Sequence, residues 1–157
     1  MISSIFLSIM LLLIISFCVI PRRMHLFEIL FLWMVVWLLG HTISSIIIVN
    51  LQLLEITKEL SKFWLHIFKR ILLYPLLIIW FLDISLLINN KIKKYLFLLL
   101  LIFILISIEY CFILSGVFIK KNWSIGYSFI EWGFTVGVSY FLWKWYRRKL
   151  FKEKAVQ

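Results

Sequence analysis

The sequence predicts an all-α protein, a polytopic membrane helical bundle of about five transmembrane helices with one amphipathic interfacial helix between spans two and three. Hydrophobic residues make up 64% of the 157-residue chain and the mean hydropathy is +1.07, whereas soluble domains are roughly 45–50% apolar. Apolar runs long enough to cross a bilayer alternate with short basic stretches, which is the pattern of membrane-spanning helices. The length suits a single integral membrane domain over residues 1–157.

Charge and motif content exclude several function classes. The net charge is +10, but the lysines and arginines lie between apolar runs and at the C-terminus, which indicates membrane topology and not nucleic-acid binding. The two cysteines lie inside apolar runs and the three histidines lie in different segments. Because the chain has no Cys-x-x-Cys, no His-Glu-x-x-His and no glycine-rich phosphate loop, we expect no metal and no cofactor.

The first two predicted spans are residues 2–20 and 26–49. As a helix, the first would be roughly 28 Å long, about one hydrocarbon thickness. A secretory signal peptide carries its positive charge before the apolar core, whereas here the charge follows it, at Arg22 and Arg23. We therefore interpret the first run as an uncleaved transmembrane helix.

Residues 51–68 differ in kind from the spans. Apolar side chains recur at steps of three and four, and glutamates and lysines lie off that stripe, which predicts an amphipathic helix. We place this helix in the outer interface plane, with Trp64 at headgroup depth. A helical segment folded over the bundle is the alternative that the sequence leaves open.

The third and fourth predicted spans are residues 71–88 and 95–119. Pro75, in the first turns of the third span, indicates a bend after the interfacial helix. Near the inner end of this span, Asp83 either faces the bundle or pairs with a lysine of the basic turn that follows, and we favour the pairing. The fourth span carries an acid, Glu109, at a depth where lipid is expected.

The fifth predicted span, residues 125–143, carries a polar stripe. Its polar side chains fall within about a quarter turn of each other on a helix. Such groups meet protein or water more favourably than lipid, so we expect the stripe to face the bundle. The members of the stripe are Ser128, Glu131, Thr135 and Ser139.

Small residues predict where helices pack. Rows of small side chains let two helices approach closely in a bilayer. Gly133 and Gly137 form a Gly-x-x-x-Gly on the fifth span, on the side away from its stripe. The fourth span carries a row at steps of four, Ser107, Cys111 and Ser115. We expect helix packing at both sets.

The distribution of basic residues orients the chain. With the N-terminus outside and the C-terminus cytoplasmic, eleven lysines and arginines lie on the inner side and six on the outer side, in agreement with the positive-inside rule. A four-span arrangement with one re-entrant run is the main alternative. The expected surroundings are the lipid bilayer and, as partner, another membrane protein or a second copy of the chain.

Three ionisable groups reach similar depth in this topology. Glu109, Glu131 and His41 lie roughly 9–15 Å below the outer boundary at ~1.5 Å per residue. A short turn makes spans four and five antiparallel neighbours, so the two acids can face each other with the histidine nearby. Two adjacent carboxylates do not both ionise, and a charge at the bilayer centre costs ~2.5–3.5 kcal/mol. The sequence thus predicts an intramembrane polar site that also includes Ser128 and Thr135.

Three hypotheses describe this site. In the one that we favour, the acids are protonated or hydrogen-bonded and the bundle is a structural or partner-binding membrane subunit. In the second, an outward-facing polar cavity binds a cation, a proton or a polar solute, as in a small transporter or channel-like protein. In the third, the chain is an intramembrane enzyme, which we do not favour because no nucleophile–base or metal pair sits at usable spacing. The simplest interpretation of His41 alone is a neutral histidine hydrogen-bonded to a neighbouring helix.

Four short motifs resemble one protein family. They are Leu73-Tyr74-Pro75-Leu76, Ile108-Glu109-Tyr110, Ile119-Lys120-Lys121-Asn122-Trp123 and Tyr127-Ser128-Phe129. The chain resembles, over residues 26–150, a family of small, uncharacterised multi-pass membrane proteins from endospore-forming Gram-positive bacteria. The resemblance implies a bacterial plasma-membrane location, a fourth-span acid at Glu109 and a turn tryptophan at Trp123. It implies no activity, and it does not extend to Glu131 or His41.

Overall fold

A computed structural model describes residues 2–154 and shows an all-α fold, about 80% helical, in which those residues form five helices. One of the five is a continuous helix made of α3, a π-helical turn at Lys69–Leu73, and α4. A second π-helical turn, Ile46–Asn50, extends α2. In chain order the elements are α1 (Ile2–Val19), α2 (Leu26–Ser45), β1 (Leu54–Ile56), α3 (Leu60–Phe68), α4 (Tyr74–Ser85), α5 (Lys91–Leu114), β2 (Phe118–Lys120) and α6 (Ile125–Lys154).

Four helices form a ring around the core. Helix α2 packs against α4 and α6, and α5 packs against the same two helices. Because short connections join consecutive helices, neighbours in the ring run in opposite directions, as in an up-and-down four-helix bundle. Helix α1 lies outside the ring, against α3 and α4. The core takes buried side chains from every helix of the ring, among them Leu32, Ile78, Leu101 and Val136.

A two-stranded ribbon joins the connections at one end of the ring. Strands β1 and β2 pair antiparallel, with Glu55 opposite Ile119. A salt bridge of 3.0 Å between Lys121 Nζ and Glu55 Oε2 lies beside the pairing. This end of the molecule, formed by residues 51–59 and 115–124, is called the ribbon end below.

The opposite end carries the basic connections of the chain and is called the basic end; it comprises residues 20–25, 86–94 and 144–154. Asp83, buried near this end of α4, accepts the backbone N–H groups of Arg23 at 3.0 Å and Met24 at 2.8 Å. The carboxylate thereby holds the connection between α1 and α2. Our prediction that Asp83 pairs with a lysine is wrong, because its carboxylate accepts these backbone donors and forms no salt bridge with a described lysine.

The structure corrects the predicted interfacial helix over residues 51–68. Residues 51–59 are not helical and include β1, and the helix begins only at Leu60. Gln52 adopts a left-handed backbone with φ +50°, which a helix does not tolerate. Backbone N–H and C=O groups of this segment form their hydrogen bonds with β2 instead of within a helix. From Leu60 onward the helix is not a separate element, since it continues through a π-helical turn to Pro75 at the start of α4.

The fourth predicted span is shifted relative to the observed helix. We predicted residues 95–119, whereas α5 begins at Lys91 and ends at Leu114. Gly116 follows with a φ of +69°, and its N–H and that of Val117 donate to carbonyls of the last helical turn at 3.0 and 3.1 Å. This is a glycine-terminated helix end, which turns the chain toward β2.

Two helices are long and apolar enough to cross a membrane: Leu26–Asn50, formed by α2 and its π-helical turn, and Lys91–Leu114, which is α5. They coincide with the second and fourth predicted spans. The remaining helices are shorter or interrupt their apolar stretches with charged and polar residues. All of the helices nevertheless expose large apolar side chains on their outer faces, for example Leu11, Met34, Leu100 and Phe141.

Within the described part of the chain, the predicted rows of small residues lie on open faces of their helices, and Cys111 and Ser115 border a cleft beside α1. Ser107 and Cys111 are exposed, and Ser115 lies at the end of α5, where its hydroxyl donates to a carbonyl of the preceding turn. A side-chain carbon added at Gly133 or Gly137 would meet no atom within 4 Å. The ring instead packs through larger residues on other faces of these helices. Packing of these rows against a partner stays a prediction.

Candidate functional site

A small cavity lies inside the ring, next to the ribbon end. Its volume is about 30 Å³, enough for about one or two water molecules. The lining comes from α2 and its π-helical turn, both strands, the continuous helix α3–α4, α5 and α6. The polar and ionisable side chains among the lining residues are Ser44, His66, Lys69, Arg70, Tyr74, Glu109, Glu131 and Thr135.

Both acids of the predicted site reach this cavity. Glu109, from α5, is only 4% exposed, and its Oε2 accepts the indole N–H of Trp132 at 2.8 Å. Glu131, from α6, is half-buried and lines the same cavity. The structure thus brings Glu109 and Glu131 to one place, each from its own helix.

Lys69 is the buried cation of the cavity. It lies on the π-helical turn between α3 and α4 and is only 3% exposed. Its ammonium lies 3.9 Å from the ring centroid of Phe118, 4.5 Å from that of Phe112 and 5.4 Å from that of Tyr74. Aromatic faces attract a cation most strongly where water is excluded. Lys69 therefore faces Glu109 and Glu131 across the cavity from an aromatic cage.

Arg70 connects the cavity to α2. Its Nη2 donates to the backbone carbonyls of Gly40 at 2.6 Å and His41 at 2.8 Å. Its Nη1 lies 3.5 Å from His66 Nε2. The guanidinium thus joins α2 to the continuous helix α3–α4 with charge-assisted hydrogen bonds.

His66 and Tyr74 complete the polar lining. His66 is buried in α3, edge-on to Phe118 with ring centroids 5.1 Å apart. Tyr74 is buried against Trp132, and its hydroxyl has no hydrogen-bond partner among the described residues.

The polar stripe of α6 faces inward, as its spacing predicts. Ser128, Thr135 and Ser139 are all buried. Ser128 Oγ accepts the indole N–H of Trp123 at 2.9 Å, and the hydroxyl of Thr135 donates to the carbonyl of Glu131. Of these three, only Thr135 lines the cavity. Ser128 instead joins the turn after β2 to the start of α6.

His41 does not belong to this cavity. Its side chain is exposed and stacks on Trp37 with ring centroids 6.2 Å apart. Only its backbone carbonyl contacts the polar cluster, through Arg70. The predicted three-residue cluster of Glu109, Glu131 and His41 is therefore reduced to the two acids, because His41 lies on the outward face of α2.

The basic side chains that share the cavity with the acids were not predicted from the sequence. Lys69 and Arg70 were counted among the outer basic residues, and His66 was placed on an interfacial helix. One signal pointed to them: the pair stands immediately before an apolar run, where a continuous helix carries such residues into the bundle. Among residues 2–154, no group of three or more His, Cys, Asp or Glu side chains is arranged to hold a metal ion.

Comparison with protein-family models, curated proteins and solved structures gave no match.

Proposed function

We propose that this chain is a multi-pass integral protein of the bacterial plasma membrane and serves as a structural or partner-binding membrane subunit. The observation that carries membrane integration is the outer surface of the helices. Large apolar side chains are exposed on α1, α2, α3, α5 and α6, and exposed apolar surface on this scale marks contact with a membrane or a partner. Two helices with the length and composition of membrane spans support the same proposal.

The proposed orientation has the ribbon end outside and the basic end in the cytoplasm. Both connections at the basic end, and the start of the tail, carry clusters of lysine and arginine. Cytoplasmic loops carry such an excess. Five spans with the N-terminus outside satisfy this bias, since α1, α3–α4 and α6 then run inward and α2 and α5 run outward.

The charge pattern of the cavity supports a structural role over transport. Lys69 and Arg70 balance Glu109 and Glu131, so the cavity is formally neutral and already contains its own cations. A volume of about 30 Å³ leaves room for little more than water. The four side chains come from three separate helices and line one cavity, and in the proposed structural role this shared polar interior keeps α3–α4, α5 and α6 in register.

Thiol labelling of intact cells tests the orientation. In a background with Cys18→Ala and Cys111→Ala, we compare Lys120→Cys at the ribbon end with Lys93→Cys at the basic end, both exposed lysines. A membrane-impermeant maleimide should label Lys120→Cys alone, and Lys93→Cys only after the membrane is opened. Release of the protein by alkaline carbonate, or equal labelling of both variants in intact cells, contradicts the proposal.

A double-mutant cycle tests the structural role. Lys69→Gln and Glu109→Gln each leave an opposite charge uncompensated, whereas the double variant removes both charges. If the cavity holds the helices in register, each single variant lowers the unfolding temperature in detergent and the double variant recovers part of the loss. Additive effects of the two substitutions would show that the charges do not interact.

A second candidate is a cavity that carries a proton or a small polar solute. The observation that favours it is the unpartnered Tyr74 hydroxyl next to two acids at one cavity. Proteoliposomes with an internal pH dye test it, using the wild type beside Glu131→Gln. Proton entry that is lost in Glu131→Gln, with the unfolding temperature retained, would favour this candidate over the structural role.

A further inference from the structure

A second, larger cleft opens at the basic end. It lies between the start of α5 and the second half of α6, beside the connection from α4. Its volume is about 330 Å³, about an order of magnitude larger than the cavity at the ribbon end. This space can hold a polar headgroup and not only water.

Four cations line this cleft: Lys91 and Lys94 from α5, and Lys144 and Arg147 from α6. None of the described residues in its lining is acidic. One acid stands near a member of the group, since Glu28 Oε1 lies 3.6 Å from Arg147 Nη1. The carboxylate of Glu28 is completely buried and its other oxygen accepts the His25 N–H at 2.8 Å, so at least three of the four charges lack a carboxylate partner in the described chain.

Aromatic side chains hold two of the cations in place. The ammonium of Lys94 lies 5.7 Å from the ring centroid of Tyr140. The guanidinium of Arg147 lies 5.6 Å from that of Trp143. Cation–π contacts of this kind orient a cation without neutralising it. The positive charge of the cleft is therefore pre-positioned for a ligand.

One polar group at the cleft that has no partner is a donor. Trp143 lines the cleft and is 2% exposed, and its indole N–H has no hydrogen-bond partner among the described residues. A buried donor left unpaired costs free energy, and a ligand with several acceptor oxygens removes that cost. Ammonium, guanidinium and indole N–H groups together select an anion that accepts hydrogen bonds.

We propose that this cleft binds a phosphate group, presented either by the headgroup of an anionic phospholipid or by a free phosphate. Phosphate oxygens accept charge-assisted hydrogen bonds from both lysine and arginine. Basic pockets between helices on the cytoplasmic side of a membrane bind anionic headgroups in this way. The phospholipid source rests on the proposed membrane integration, whereas the phosphate chemistry rests on the cleft alone.

The test uses the full chain purified in a neutral detergent. Binding is measured by native mass spectrometry with added phosphatidylglycerol, with phosphatidylcholine as the zwitterionic lipid, and with inorganic phosphate. Lys94→Gln/Lys144→Gln removes two charges from the cleft. Lys93→Gln/Arg148→Gln removes the same charge from exposed neighbours outside the lining, and is the matched control.

We expect wild-type protein to retain phosphatidylglycerol over phosphatidylcholine. The cleft variant should bind it at least about tenfold more weakly, since two of the four cations that line the cleft are removed. The control should change binding by less than about twofold. Inorganic phosphate that binds with the same dependence on the cleft, while phosphatidylglycerol does not, identifies a free phosphate as the source.

Equal weakening in both variants, or weakening in neither, overturns the proposal. Unfolding temperatures of both variants, measured by circular dichroism, confirm that the fold is retained in the comparison. Because binding is measured in detergent, failure of the labelling experiment in cells leaves this result standing. A protein that inserts as proposed but shows no dependence on the cleft disproves the phosphate site alone.

Discussion

The two ends of the molecule place charge inside the bundle in opposite ways. At the ribbon end, Lys69 and Arg70 share a cavity with Glu109 and Glu131, so cations and acids balance within the chain. At the basic end, the cleft gathers four cations with no acid in its described lining. The first arrangement needs no ligand, because the chain supplies both signs of charge. The second leaves positive charge that an anionic ligand can neutralise.

The contrast between the two ends indicates which kind of charged site in a small bundle is open to a ligand. A buried acid draws attention because it is costly in an apolar environment, yet at the ribbon end the chain itself supplies the counter-charge. Lysines beside an apolar run are common in a sequence and do not by themselves indicate a binding site. They become informative when several of them converge on one cleft, as Lys91, Lys94 and Lys144 do.

The largest effect is expected from breaking the balance at the ribbon end. Glu109→Leu leaves the Trp132 N–H unpaired and Lys69 with one acid fewer. We expect a loss of about 3–5 kcal/mol of stability, measured by thermal unfolding in detergent. Glu109→Gln, which keeps an acceptor for Trp132, should lose less. Wild-type stability in Glu109→Leu would contradict the balanced cavity.

The second largest loss of stability is expected from releasing the connection between α1 and α2, which Asp83 holds at the basic end. Asp83→Ala removes the acceptor for the N–H groups of Arg23 and Met24. We expect a loss of about 2–3 kcal/mol, since the Met24 donor is buried, and faster proteolysis between α1 and α2. Glu59→Ala is the control, because Glu59 is exposed and its salt bridge to Lys62 contributes little. Equal effects would remove the special role of Asp83.

The smallest effect is expected at the cleft. Lys94→Gln removes one of several like charges that have no acid among the described lining residues. We expect its stability to stay within about 0.5 kcal/mol of the wild type, or to rise slightly through relief of repulsion. A loss of the size expected for Glu109→Leu would show that the cleft, too, is part of the structural core.

The parts of the fold that follow from local spacing could be predicted. The inward polar stripe of α6 and the apolar length of α2 are properties of a single helix, so a helical wheel is sufficient. The buried depth of Glu109 follows from its place in an apolar run. The acids Glu109 and Glu131 reach one cavity because a short turn makes α5 and α6 neighbours.

The parts that depend on distant pairing could not be predicted. Residues 51–59 have a helical spacing, but they pair with β2, which is far along the chain. The position of Lys69 inside the bundle depends on the helix continuing through a π-helical turn. No pattern in the sequence predicts that turn. His41 was predicted at the site from its depth along α2 alone. Depth does not determine the face of the helix, and the side chain lies on the exposed face.

The ribbon also sets an order of assembly. Strand β1 is synthesised well before β2. Its backbone donors and acceptors therefore have no strand partner until residues 118–120 have left the ribosome. The aromatic cage of Lys69 waits with it, because Phe118 belongs to β2. The first three helices therefore emerge with an unpaired strand and an uncaged cation. Both are completed only after β2 has emerged, so a chain that ends before Phe118 lacks the ribbon and one ring of the cage.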